Sequence, residues 1–160
     1  MKKSIGPNKK KTAVFISGTG SNLKNLIKYS LKKHSTITID LVISNKKNAK
    51  GLKYINRKKI KFFFKTKDSE KKILNILNKK KIKLVCLAGF MKVLSKNFIK
   101  KFKGKILNIH PSLLPKYKGL NTHKRALVNN EKFSGCTVHY VTNKLDSGKI
   151  ILQKKVKIMK

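Results

Sequence analysis

The stretch TAVFISGTGSN at 12–22 decides the fold. TAVFIS is a short β-rich run, and the glycine-rich GTGSN follows it directly. Leu23, Leu26, Ile27 and Leu31 then recur at helical spacing. The unit is strand, tight turn, helix. Working outward, the alternation repeats. TIDLVIS at 38–44 reads as a second strand, 46–59 as a helix and 60–64 as a third strand. Asp68 and Ser69 read as the cap of a helix whose apolar face is Ile73, Leu74, Ile76 and Leu77. LVCLA at 84–88 is a continuous apolar run, as expected of a strand buried on both faces. Ser95 opens a short helix through Phe102, 105–109 is a strand ending at His110-Pro111, and 121–130 is a helix. Two strands, 136–141 and 150–156, follow and are joined by a turn too short for a helix, so they are expected to be antiparallel. The class is α/β, with a mostly parallel central sheet and helices on both faces.

The 160 residues are expected to form one domain at 12–160, preceded by a flexible, lysine-rich arm at 1–11. The formal net charge is +37, from 42 basic and 5 acidic residues. Only Arg57 and Arg125 are arginine; the other basic residues are lysine. Lys, Asn and Ile share A/T-rich codons, so compositional drift explains the charge better than a dedicated nucleic-acid reader, which favours arginine. Nucleic acid is expected to bind only non-specifically, in a salt-sensitive way. No apolar run approaches the roughly 18 residues of a membrane span, and 13–16 is too short for a signal peptide. Cys86 and Cys136 lie in no CxxC, which argues against a disulfide framework or structural zinc. The expectation is a cytoplasmic protein without membrane contact.

Three segments carry chemistry. SGTGSN at 17–22 offers a helix start whose free N–H groups suit a phosphate, with Ser21 and Asn22 as side-chain donors. It continues into neither GxGxxG nor GK[ST], so dinucleotide and P-loop readings fail. A purely steric need for glycine explains the motif equally well. LNIHPSLLPKYKG at 107–119 places Asn108 and His110 two apart on one strand, hence on one face, at its carboxyl end. Histidine can donate a proton to a developing oxyanion, and an asparagine amide can donate to the same oxygen. An ordinary strand end would also use these residues. VTNKLDSGKIILQ at 141–153 holds Asp146, either a turn aspartate or a carboxylate that orients His110.

These segments, with LAGFMKVLS at 87–95, closely resemble the phosphoribosylglycinamide formyltransferase family, folate-dependent enzymes of purine synthesis. The resemblance runs from about 12 to 158. It departs from the family pattern at Lys92 (arginine), Lys118 (proline) and Asn121 (histidine). It implies a Rossmann-like formyltransferase fold and formyl transfer from 10-formyltetrahydrofolate to the amine of 5-phosphoribosylglycinamide. No metal is required.

By the same resemblance, Asn108, His110 and Asp146 are the catalytic trio. Gly20, Ser21 and Asn22 take the substrate phosphate. Met91, Lys92, Val93, Leu94, Thr142, Asn143, Lys144 and Leu145 join Asn108 and Asp146 around the folate. His123 and His139 also match the pattern; His139, on a strand, is assigned to packing or hydrogen bonding, and His34 to the surface. Cys86 reads as a small apolar filler. The Leu114–Pro115 bond is expected to be cis. Family members run past the ILQ strand into a helix with acidic contacts to the glycinamide nucleotide, a segment expected to be missing from 1–160. No site residue is carried onto 60–75, which is shorter than in the family.

Alternatives within the fold are a formyltetrahydrofolate hydrolase, which usually has an N-terminal regulatory domain, and a methionyl-tRNA formyltransferase, which has a C-terminal one. Outside it stands a non-catalytic basic binder of polyanions. Folate binding that survives moderate salt separates an enzyme from that binder.

Overall fold

A computed structural model describes residues 9–56, 59–62 and 67–159. Among them the chain runs β1 (Lys10–Ile16), α1 (Ser21–Ser30), β2 (Ile37–Ser44), a 3₁₀ turn (Lys50–Tyr54), β3 (Ile60–Phe62) and α2 (Lys67–Lys79). It continues through β4 (Leu84–Leu87), α3 (Lys96–Lys101), β5 (Lys105–His110), α4 (Thr122–Val128), β6 (Phe133–Tyr140) and β7 (Ile150–Lys157). The described strands form one seven-stranded sheet in the order β3-β2-β1-β4-β5-β6-β7. Pairs from β3 to β5 are parallel; β5–β6 and β6–β7 are antiparallel. The chain starts in the middle at β1, builds outward through β2 and β3, then returns to the other side of β1 with β4. That reversal opens a crevice at the carboxyl ends of β1 and β4, where sheets of this kind place ligands.

Each face of the sheet has its own core. On one face Phe15, Leu41, Ile43 and Val85 meet Ile73, Leu74 and Leu77 of α2 and Phe98 of α3. Phe15 stacks edge-on against Phe90 and Phe98, at 5.2 and 6.3 Å between centroids. On the other face Val14, Ile16 and Val42 pack on Leu23 of α1 and on Ala49. Fully burying such a side chain stabilises the fold by about 1.5–3 kcal/mol. Because β1 alternates between the two cores, every residue from Ala13 to Ile16 is completely buried.

Several expectations shift. β1 begins at Lys10, so Lys10 and Lys11 belong to the sheet and not to an arm; residues 1–8 of that arm lie outside the described residues. Of the helix expected over 46–59, residues 57–58 lie outside the described residues, and 46–56 hold the short 3₁₀ turn Lys50–Tyr54, followed by extended Ile55, in place of an α-helix. Gly51 explains this: it sits against Gly20, and a close backbone approach replaces a helical packing face. β3 covers 60–62 of the expected 60–64, and 63–64 lie outside the described residues. Asp68 and Ser69 lie inside α2 instead of capping it, because the helix starts at Lys67. Asp68 and Glu70 there complement the positive end of the helix. Glu70 also accepts the N–H of Ser95 at 2.9 Å, while the Ser95 hydroxyl accepts from the Phe98 N–H as the cap of α3.

LVCLA is not buried equally on both faces. Val85, Leu87 and Ala88 are buried, whereas Leu84 and Cys86 are half-buried at the rim of the α1-side core. β6 starts at Phe133, three residues early, because its pairing with β7 runs out to Phe133 opposite Lys157. β7, at the edge, is exposed along its length. The Leu114–Pro115 peptide is cis.

Candidate active site

The carboxyl end of β5 presents Asn108 and His110 on one face, as strand alternation requires. Antiparallel register sets Asn108 opposite His139 of β6 and His110 opposite Thr137. The turn between β6 and β7 delivers Asp146, which adopts a positive φ of 45°, a conformation that aspartate tolerates better than most residues.

These four side chains form one network around the Asp146 carboxylate. Oδ2 accepts the backbone N–H of Gly119 at 2.9 Å and lies 3.4 Å from His110 Nδ1. Oδ1 lies 3.4 Å from Asn108 Nδ2 and 3.6 Å from His139 Nε2. Only 8% of the Asp146 side chain is exposed, so the carboxylate is held by these partners and little by water.

Carbonyl neighbours fix the two imidazole tautomers, because a carbonyl oxygen can only accept. His110 Nε2 donates to the Tyr117 carbonyl at 2.9 Å, which leaves Nδ1 toward Asp146. His139 Nδ1 donates to the Tyr140 carbonyl at 2.8 Å, which makes Nε2 the acceptor for Asn108 Nδ2 at 3.2 Å. Both rings are buried.

The network sits at the wall of a cavity of about 440 Å³. Met91, Lys92, Val93 and Leu94 line it from one side, and Thr142, Asn143, Lys144 and Leu145 from the other. Each residue carried onto the folate pocket by sequence therefore borders this one cavity. Met91 and Val93 are strongly exposed along it.

Gly20, Ser21 and Asn22 are not part of that lining. They form the start of α1 at the carboxyl end of β1, with Gly20 at φ 74° as the residue before the helix. A Cβ on Gly20 would meet Gly51 Cα at 2.6 Å, whereas one on Gly18 would meet open space. The steric need for glycine thus resides in Gly20, and the amides of the first turn of α1 have no partner within the helix.

His139 takes the hydrogen-bonding place on a strand that the sequence assigned to it, whereas the Tyr117 carbonyl and the Gly119 N–H are partners the sequence did not name. Only His139 left a signal: it is one of four histidines and stands on a strand between Val138 and Tyr140. Its register against Asn108 becomes visible only once β5 and β6 are paired. His34 and His123 are exposed, away from this network, with His34 against the ring of Tyr29. Burial pushes the Cys86 thiol up to about 11, which fits a filler and not a nucleophile.

Comparison with known proteins places the chain in a family. A family model described as formyl transferase matches residues 10–160. The trifunctional purine biosynthetic protein adenosine-3 of Gallus gallus is 44% identical over 161 residues, covering 96% of this chain, although the chain spans only 16% of that protein's length. A phosphoribosylglycinamide formyltransferase of Haemophilus influenzae is 43% identical over 156 residues, covering 93% of this chain and 74% of that one. The crystal structure of phosphoribosylglycinamide formyltransferase from Brucella melitensis superposes with a TM-score of 0.87 at 40% identity, covering 94% of this chain and 81% of the other. Fold, sheet order and sequence converge on one membership: the chain belongs to the formyl transferase family.

Proposed function

We propose that this chain transfers the formyl group of 10-formyltetrahydrofolate to the amine of 5-phosphoribosylglycinamide. The observation that carries the reading is the convergence of Asn108, His110 and Asp146 at the wall of a cavity lined by Met91, Val93 and Leu94 on one side and by the loop from Thr142 to Leu145 on the other. The flat pterin and its ring-linked chain suit the segment from Met91 to Leu94 and the loop from Thr142 to Leu145. The SGTGSN turn supplies the first-turn amides of α1, with Ser21 and Asn22, for the substrate phosphate.

In the reaction the amine nitrogen bonds to the formyl carbon and the bond from that carbon to the folate nitrogen breaks. One proton leaves the amine and one is gained by the folate nitrogen. Charge develops on the formyl oxygen between these events. His110 stabilises it as the imidazolium: with Nε2–H committed to Tyr117, the proton on Nδ1, held beside Asp146, is the one donated to that oxygen. Asn108 spends one N–H on His139 at 3.2 Å and the other on the longer 3.4 Å contact to Asp146. The longer contact is the one exchanged for the formyl oxygen. Asp146, beside Nδ1, orients the ring and takes up the amine proton through water.

Residues 10–160 serve as the formyl transferase domain in this reading. Substrates are small molecules, and polyanions bind only weakly through the lysine-rich surface. Among the described residues no helix is long and apolar enough to cross a membrane.

The test is an assay with both substrates, run beside one in which water replaces the amine. Formylated glycinamide nucleotide with little formate supports the reading. Formate release independent of the amine supports a hydrolase, and folate binding lost at moderate salt supports a polyanion binder.

A further inference from the structure

The loop from Pro111 to Tyr117 is a wall shared by two cavities. One side borders the site described above. The other borders a separate cavity of about 380 Å³, and Glu131, from the link between α4 and β6, faces this second one. Glu131 is one of only five acids in the chain. Its Oε1 accepts the Tyr117 hydroxyl at 2.8 Å and the Lys116 ammonium at 2.7 Å.

Tyr117 has φ 56°, a left-handed conformation that a bulky residue avoids. Strain of this kind persists only where the surroundings enforce it. Here the phenol is held by Glu131, the Arg125 guanidinium lies over the ring at 5.2 Å, and the Ser112 hydroxyl donates to the Lys116 carbonyl at 2.7 Å. What the conformation achieves is on the other side of the wall: the Tyr117 carbonyl accepts His110 Nε2–H at 2.9 Å.

We infer that Glu131 is a positioning residue: by anchoring the Tyr117 phenol it holds the Tyr117 carbonyl on His110 and so fixes which ring nitrogen faces the substrate. The inference rests on the proposed role of His110. The hydrogen bonds from Lys116 and Tyr117 hold the Glu131 carboxyl below the usual carboxylate range, so the anchor stays ionised at neutral pH. Without the anchor the loop can leave the left-handed conformation, the carbonyl turns away, and the His110 ring is free to exchange tautomers.

The experiment uses the full chain with ¹⁵N-labelled histidine and compares it with Tyr117→Phe, Glu131→Ala and Glu131→Gln. Imidazole ¹⁵N shifts report the protonated nitrogen without any substrate, so this reading stands or falls whether or not formyl transfer is the reaction. The wild-type chain is expected to show His110 protonated at Nε2. Tyr117→Phe and Glu131→Ala are expected to show a mixture of tautomers. Under the proposed reaction their kcat falls about 10-fold while KM stays within about twofold. Glu131→Gln keeps an acceptor for the phenol and is expected to restore both readouts. If Glu131→Ala does not fold, Tyr117→Phe, which removes one hydroxyl, decides the matter alone. An Nε2-protonated His110 that is unchanged in Tyr117→Phe overturns the inference. So does a Glu131→Gln variant as impaired as Glu131→Ala.

Discussion

The Ser17 hydroxyl accepts the backbone N–H of Met91 at 2.7 Å, across the crevice between β1 and β4. The same hydroxyl donates to Asn45 Oδ1 at 2.6 Å, and the Ser17 N–H donates to the Gly89 carbonyl at 3.1 Å. One residue thus ties the SGTGSN turn, the segment after β2 and the segment that lines the large cavity. Ser17 is buried, so its loss is not repaired by bulk water. Ser17→Ala is expected to cost about 1–3 kcal/mol by leaving Met91 N–H without this partner. It should also weaken folate binding more than it lowers kcat, because His110 and Asp146 keep their contacts. Thermal unfolding and a folate titration check both parts; unchanged stability would show that the hydroxyl is dispensable.

Gly51 packs against the SGTGSN turn. A Cβ there would come within 2.8 Å of Gly20 Cα and 2.9 Å of Ile16 Cδ1. The isoleucine tip can swing aside, but the glycine backbone cannot. Gly51 N–H also donates to the Gly18 carbonyl at 3.0 Å, so a displaced Gly51 drags the turn with it. Gly51→Ala is expected to destabilise the chain by about 1–3 kcal/mol and to raise KM for the phosphorylated substrate, with KM for folate changing least. Equal effects on the two KM values would place the damage elsewhere.

Much of this was legible in the sequence, for reasons that differ by residue. The strand, turn and helix at 12–31 announce themselves because β1 is buried on both faces and Gly20 must adopt a positive φ. Asn108 and His110 could be placed on one face because strand alternation is local. Asp146 stood out as a rare acid in a basic chain. Local rules did not reach the partners that meet only in the folded sheet. His139 joins the network through its register with Asn108, and Gly51 shortens an expected helix through a contact with Gly20. Tyr117 matters through its carbonyl, which no residue type encodes. The segment IILQKKV at 150–156 does pair as a strand, but as an exposed edge, because its residue types report strand pairing and not which neighbour covers it.

Asp146→Asn tests the network with almost no change in shape. The carboxylate faces a donor on each side, Gly119 N–H at Oδ2 and Asn108 Nδ2 at Oδ1. An amide has one oxygen and one NH₂, so whichever way it turns, a donor confronts a donor. The expected cost is about 1–3 kcal/mol of stability, together with a fall in kcat. His110→Ala, by contrast, is expected to lower kcat by about 10²–10⁴ with KM for folate little changed. Thermal unfolding beside steady-state kinetics separates the two. A fall in kcat confined to Asp146→Asn would show that His110 serves only the architecture.

Cys86 gives a prediction independent of any substrate. Burial raises its thiol from 9.0 to about 11, since the rim of the core disfavours a thiolate. Two units mean about 100-fold less thiolate at pH 8 than an unperturbed cysteine would have. Alkylation of the native chain at pH 8 should therefore modify Cys86 at least 100-fold more slowly than alkylation of the unfolded chain. Peptide mapping by mass spectrometry distinguishes it from Cys136. The same shift has a consequence for stability. A group whose folded value is raised favours the fold below its unfolded value and loses that contribution as pH climbs through the folded one. Stability should therefore decline from about pH 9 to about pH 11 more steeply in the native chain than in Cys86→Ala, in which lysine and tyrosine titration are retained. Identical alkaline slopes in the two chains, or rapid native labelling of Cys86, would mean that the thiol is hydrated and that the α1-side core is open at its rim.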